Sequence, residues 1–154
     1  MTAKTIFVSV LSRASIVGGL TATAILASPA NADKLPVTPQ QLQAYDEAFM
    51  EQVKKGDLLF HGDDATAKQM GVVLSTTGMA CAMCHPFASD THPQSFPKFQ
   101  VSINKFSTLR DMIDWCIEKP NQGERIGSDS DAMKALEAYI YWSNTGSVLV
   151  PGKY

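Results

Sequence analysis

CAMCH, Cys81 to His85, is the stretch through which the whole chain has to be read. Two cysteines stand two residues apart, and a histidine follows the second directly. Such a cluster puts two thiols and an imidazole within little more than one turn of chain. A structural zinc site needs four ligands. The sequence has only one further cysteine, Cys116, and two further histidines, His61 and His92, and these make no second closely spaced pair. A redox dithiol of the thioredoxin kind sits in a βαβ pattern, and none surrounds this one.

The reading left is covalent attachment of haem c, for which Cys-x-x-Cys-His is the known pattern. Cys81 and Cys84 are then spent as thioethers, His85 is one axial ligand, and one motif implies one haem. The other ring nitrogen of His85 is expected to donate to a backbone carbonyl, which fixes tautomer and basicity. Pro93 or Pro97 is the candidate to present that carbonyl.

The beginning of the chain points the same way. Met1 to Arg13 carries Lys4 and Arg13 and no acid, the apolar run ASIVGGLTATAILAS follows, and PANA ends at Ala32. Positive start, apolar middle and an A-x-A-type end describe a secretory signal peptide. The apolar run falls short of the roughly 20 residues that a spanning helix needs. The expected organisation is residues 1–32 as signal peptide and 33–154 as a cytochrome c domain, located in the periplasm and not inserted in the membrane after cleavage. Haem is attached to such motifs on the exported side. Cleavage takes Lys4 and Arg13 from the 13 basic residues and leaves the 15 acidic ones, a net charge of about −4. That acidity gives no reason to expect nucleic-acid binding.

Outward from CAMCH the pattern is helical. Thr38-Pro39 reads as N-cap and first residue of a helix. Leu42, Tyr45, Phe49 and Val53 follow at helical spacing, and the helix is expected to run through Gly56 to Phe60. His61 to Met79 reads as a polar loop or insertion. PFASDTHPQSFPKFQ, with prolines at 86, 93 and 97, is extended or turning. Thr108 with Asp111 resembles a capping box opening LRDMIDWCIEK, which Pro120 ends. Ser128 with Asp131 is expected to cap the last helix, MKALEAYIYWS, and SVLVPGKY is a packed strap. Gly56-x-x-Leu-Phe60 and Leu136-x-x-Tyr139 resemble the crossing helix pair of class I cytochromes c. The fold class is therefore all-α, a class I cytochrome c-like domain wrapped around one haem.

The sixth position on iron is open at this level. A class I electron carrier usually places a methionine in the loop before the last helix, but NQGERIG has none, and Met133 lies just beyond it. Leu109, Met112, Ile113, Cys116 and Ile117 form one apolar stripe, so Cys116 faces inward. It is either a buried small hydrophobe or a ligand. Near ferric iron its thiol would lose its proton, and a thiolate lowers the potential relative to a thioether. Met133, a water-bound or open position, and His61 or His92 are the alternatives. Lys98, Arg110, Lys119 and Arg125 flank the region, and one could pair with a haem carboxylate.

FPKFQVSINKFSTLRDMIDWCIEKPNQGERIGSDSDAMKALEAYIYWSNTG, about half of the mature chain, resembles the haem domains of thiosulfate dehydrogenases and of the thiosulfate-oxidising Sox cytochrome. The likeness rests on Phe96-Pro97, the Cys-bearing helix, the glycine-containing loop and D-x-M-x-A-L-x-A-Y. It implies that Cys116 ligates iron in partnership with His85. Those enzymes commonly carry two haems, whereas this chain has one motif. The function expected is carriage of single electrons between an exported oxidoreductase and an acceptor, in sulfur-compound oxidation. The partner would be a periplasmic dehydrogenase, a sulfur-oxidising enzyme or a terminal acceptor. The alternatives are the haem subunit of a thiosulfate-oxidising enzyme and a gas-binding haem protein. The balance favours carrier over enzyme.

Overall fold

The computed structural model describes residues 37–153. The signal-peptide reading of residues 1–32 falls outside them. Five helices and one small hairpin follow in order: α1 (Pro39–Phe60), α2 (Asp64–Gln69), α3 (Cys81–Cys84), β1 (Lys98–Gln100), β2 (Lys105–Ser107), α4 (Leu109–Glu118) and α5 (Asp131–Ser143). The all-α, class I cytochrome c-like architecture is the one found. The hairpin is an addition to it, with Lys98 opposite Ser107 and Gln100 opposite Lys105. Asn104, at φ 50°, turns the chain between the strands, a conformation that asparagine tolerates better than most residues.

The helix starts are set by local chemistry. The Thr38 hydroxyl accepts from the Gln41 N–H at 3.2 Å while the Gln41 side chain accepts the Thr38 N–H at 2.9 Å, and Pro39 needs no N–H partner in the first turn. Thr108 and Asp111 make the same reciprocal cap on α4. α5 departs from expectation: its N-cap is Ser130, whose hydroxyl accepts the Met133 N–H at 3.1 Å. Asp131 is consequently the first residue of the helix, where a negative charge suits the helix dipole.

α1 and α5 cross at Gly56. A Cβ there would run into the Ala135 carbonyl and stand 2.7 Å from the Tyr139 Cβ. Absence of a side chain is what lets the backbones close. The Phe60 and Tyr139 rings meet beside the crossing, centroids 5.4 Å apart. Leu59, Phe60, Met133 and Leu136 are buried completely or nearly so, each contributing about 1.5–3 kcal/mol of hydrophobic stabilisation.

The stretch after α1 is more ordered than its polarity suggests. Asp63 caps α2 by accepting the Thr66 N–H at 2.7 Å, and Ala67 enters the core. Val73 to Thr77 is then stitched to the chain after α4. The Val73 carbonyl accepts the Glu124 N–H at 2.8 Å, and the Asn121 carbonyl accepts the Thr76 N–H at 3.1 Å. Prolines hold residues 86–97 in turns, as expected, with 3₁₀ turns at Ala88–Thr91 and Pro93–Ser95. The C-terminal strap ties onto this segment: the Val150 N–H bonds Gln94 and the Gly152 N–H bonds Ser95 and Pro97.

Candidate haem site

α3 is one turn of helix, closed by the His85 N–H donating to the Cys81 carbonyl at 2.9 Å. That turn carries Cys81, Cys84 and His85 to the wall of one cavity of about 380 Å³. Phe60 of α1, Leu136 and Ile140 of α5, and Leu109, Met112, Ile113, Trp115 and Cys116 of α4 complete most of the wall, with Phe96 from the turning segment. Polar groups enter chiefly from the hairpin side, where Lys98, Gln100 and Ser102 line it, and at Thr91 and Asn121.

The helix α4 sorts its apolar stripe by depth. Ile117 is 1% exposed and joins the core, whereas Met112 and Cys116 are half-buried and line the cavity. Cys116 thus reaches the wall that carries His85. Met133 does not: it is 0% exposed, part of the core cluster, and not on the cavity wall. Its place in the first turn of α5, behind Ser130, turns it towards the interior. His61 and His92 are also elsewhere. The His61 ring nitrogen lies 2.9 Å from the Asp57 backbone carbonyl on the solvent side of α1. His92 is exposed at a left-handed position between two 3₁₀ turns.

Three of the four flanking cations are occupied away from the cavity. Arg110 pairs with Glu137 at 2.7 Å, Lys119 with Glu118 at 3.1 Å, and Arg125 with Glu118 at 3.2 Å. Lys98 alone of the four lines the cavity, its ammonium 4.9 Å from the Phe96 ring centre. The Pro93 and Pro97 carbonyls take backbone N–H groups from Phe96 and Gly152. Among the described residues the His85 ring bonds neither of them.

Burial disfavours the thiolate form of Cys81 and of Cys116. Burial pushes the Cys81 thiol up to about 11, and the neighbouring Cys116 and Cys84 add to the shift. Burial, then Cys84, raises Cys116 as well. A metal ion at such a sulfur displaces the thiol proton. Among the described residues no three His, Cys, Asp or Glu side chains converge as a metal cluster.

This donor set and wall fit a haem. The volume is within the range of about 300–1,000 Å³ typical of cofactor sites. The lining is largely apolar, two thiols and an imidazole stand on one turn, a third thiol comes from another helix, and one ammonium is available to carboxylates. Trp115, Met112 and Asn121 were not singled out as wall residues by the sequence. For Met112 the stripe itself was the signal, whereas Trp115 and Asn121 gave none.

A helical domain closed by a glycine crossing, with Cys-x-x-Cys-His on an apolar cavity, is a class I-type cytochrome c domain. Residues 69–149 match the family model described as the SoxA/TsdA cytochrome c domain, and the chain belongs to that family, which carries covalently bound haem c. Among solved structures it is similar to "Thiosulfate dehydrogenase (TsdBA) from Marichromatium purpuratum", in the as-isolated form, at 22% identity and a TM-score of 0.53. The alignment covers 80% of this chain and 27% of that one, and at that identity it speaks for the fold. No curated protein matches the chain.

Proposed function

We propose that the chain is a periplasmic monohaem cytochrome that passes single electrons in the oxidation of a sulfur compound. In this reading Cys81 and Cys84 hold the haem, and His85 and Cys116 supply the axial ligands. The observation that carries it is the presence of Cys116 on the wall that bears Cys81, Cys84 and His85, while Met133 is sealed in the core. Membership of the SoxA/TsdA cytochrome c domain family supports the sulfur context. The periplasmic location rests on the signal-like sequence of residues 1–32. No helix among the described residues is long and apolar enough to cross a membrane.

The bound haem supplies the one-electron couple, and its chemistry belongs to the cofactor. What the chain supplies is attachment, ligation and exclusion of water. Phe60, Ile113 and Leu136 keep the interior side dry, while Lys98 offers a charge-assisted bond to a carboxylate. Met83, inside the attachment motif, and Phe87, two residues after it, are 66% and 71% exposed. Each offers a redox partner an exposed apolar contact, and aromatic residues and methionine are enriched in such contacts.

The test is electron paramagnetic resonance and optical spectroscopy of the purified ferric protein beside Cys116→Ala, with the haem content measured per chain. One haem and a low-spin thiolate signature that the variant loses are expected. A near-infrared sulfur–iron band of a thioether in both proteins would remove Cys116 from the site.

A second reading, oxidation of thiosulfate at the same centre, is favoured by the thiol itself, which is one more sulfur than attachment needs. Reduction of the ferric protein by thiosulfate alone, absent in Cys116→Ala, is the expected sign. No reduction by thiosulfate leaves the carrier role without the enzymatic one.

A further inference from the structure

Four polar side chains are buried in the described domain: Ser95, Ser107, Asp114 and Asn121. Three have partners. The Ser95 hydroxyl donates to the His92 carbonyl at 2.9 Å, the Ser107 hydroxyl to the Lys105 carbonyl at 3.4 Å, and Asp114 accepts the Ile126 N–H at 2.9 Å. Asn121 is the exception. It is 5% exposed, yet among the described residues its carboxamide has no hydrogen-bond partner.

The backbone of the same residue is fully engaged. Its N–H donates to the Cys116 carbonyl at 3.2 Å, and its carbonyl accepts the Thr76 N–H at 3.1 Å. The Ser75 and Thr77 hydroxyls donate to that carbonyl at 3.2 and 3.3 Å. Asn121 is therefore held in place whatever its side chain does, and it is tied directly to the residue that bears the third thiol. Asn121 is among the residues that line the cavity of Cys116 and His85. With Ala80 and Cys81 it also borders a second, more open concavity of about 660 Å³.

Among the described residues the enclosed side-chain atom without a partner is Gln94 Oε1. Asn121 is instead on a cavity wall, where its carboxamide is free to bond a group that fills the cavity. A carboxamide offers two N–H donors and no charge. The chemical partner it suits beside Cys116 is an anion that exists only in the assembled site. We propose that the Asn121 carboxamide donates a hydrogen bond to the anionic sulfur of Cys116 once that sulfur is bound to iron, and so tunes the centre. This rests on the reading of Cys116 as the sixth ligand.

The direction of the effect follows from charge. A donor to the sulfur draws electron density away from iron, so the ferric state is less stabilised and the potential is higher than an unbonded thiolate would give. Asn121 is thus a positioning and tuning residue, acting through Cys116.

The test uses the haem-loaded protein and its Asn121→Leu variant, read by three methods. The thiolate signature in electron paramagnetic resonance is expected to survive in the variant. The equilibrium constant for reduction is expected to fall about tenfold, a drop of about 59 mV for one electron. The sulfur–iron stretching band of the wild type is expected to move in deuterated water, and that of the variant to stay. If the wild type shows no thiolate signature, this proposal and the ligand reading fall together. If the signature is present but potential and deuterium shift match in the two proteins, the hydrogen bond alone is wrong. Should Asn121→Leu fail to take up haem, the wild-type band decides: a deuterium shift supports the bond, and its absence overturns it.

Discussion

Two helices meet the interior of this protein in opposite ways. α5 is pressed onto α1 so closely that Gly56 has no room for a methyl group against Ala135. α4 instead turns part of its apolar stripe towards a cavity, keeping Met112 and Cys116 half-exposed on its wall. Both helices carry a sulfur residue that the sequence offers to iron, Met133 on α5 and Cys116 on α4. The difference is that a closed crossing uses its sulfur as filler, whereas a cavity wall leaves sulfur accessible to a bound group. Apolar periodicity alone does not separate the two cases, because core and cofactor both demand an apolar face.

The comparison breaks most violently at the crossing. In Gly56→Val the new side chain lands on backbone that cannot retreat without parting α1 from α5. A loss of more than about 4 kcal/mol is expected, with the haem-free chain failing to show a cooperative unfolding transition by circular dichroism. A stable Gly56→Val domain would mean that the helices are not locked there. Met133→Ala comes next. It empties a fully enclosed site and should cost about 2–5 kcal/mol, seen in denaturant titration, while the ferric spectrum stays that of the wild type. A changed ligand signature in that variant would reinstate Met133 as ligand. Cys116→Ala should show the converse: a smaller loss of stability in the haem-free chain, together with a replaced ferric signature in the loaded one.

What the sequence made legible is what is decided within a few residues. The Thr38 and Thr108 caps, the helix run through Gly56 to Phe60, and the end of α4 at Pro120 all follow from neighbouring side chains. The Gly56 and Tyr139 crossing was also legible, because close helix approach demands a glycine and an aromatic at fixed spacing. The start of α5 was misjudged by two residues. Ser128 has the acidic residue Asp131 at capping-box spacing, whereas Ser130 caps with its own hydroxyl alone, which accepts the Met133 N–H, in a helix that buries Ala132, Met133 and Leu136. Within the segment from His61 to Met79, read as a loop, the short helix α2 was missed although its Asp63 cap is local. Ser75 to Thr77, in contrast, is ordered by bonds that reach 44 to 46 residues away, to Asn121 and Gln122. For the same reason nothing local marked Asn121: it is buried only because the Val73–Thr77 stretch folds onto it.

The finest probe of the contrast is the start of α4, since a helix facing a cavity has less packing to hold it than one closed by a crossing. There the Asp111 carboxylate accepts the Thr108 N–H at 2.9 Å and its hydroxyl at 2.8 Å. These bonds, backbone first, hold the Asp111 carboxyl below its usual value. A depressed folded value means stabilisation that is present above the unfolded value near 4 and lost as pH falls through the folded one. Asp111→Ala should therefore cost about 0.3–1 kcal/mol at neutral pH, and the gap to wild type should narrow in denaturant titrations as the pH falls below the unfolded value near 4. The next residues inward, Leu109 and Met112, line the cavity. If capping is what anchors this end of the wall, Asp111→Ala also broadens the ferric spectrum at neutral pH. If the gap persists in acid, the carboxylate is not the source of the stability, and the hydrophobic contacts of Leu109 carry the helix start instead.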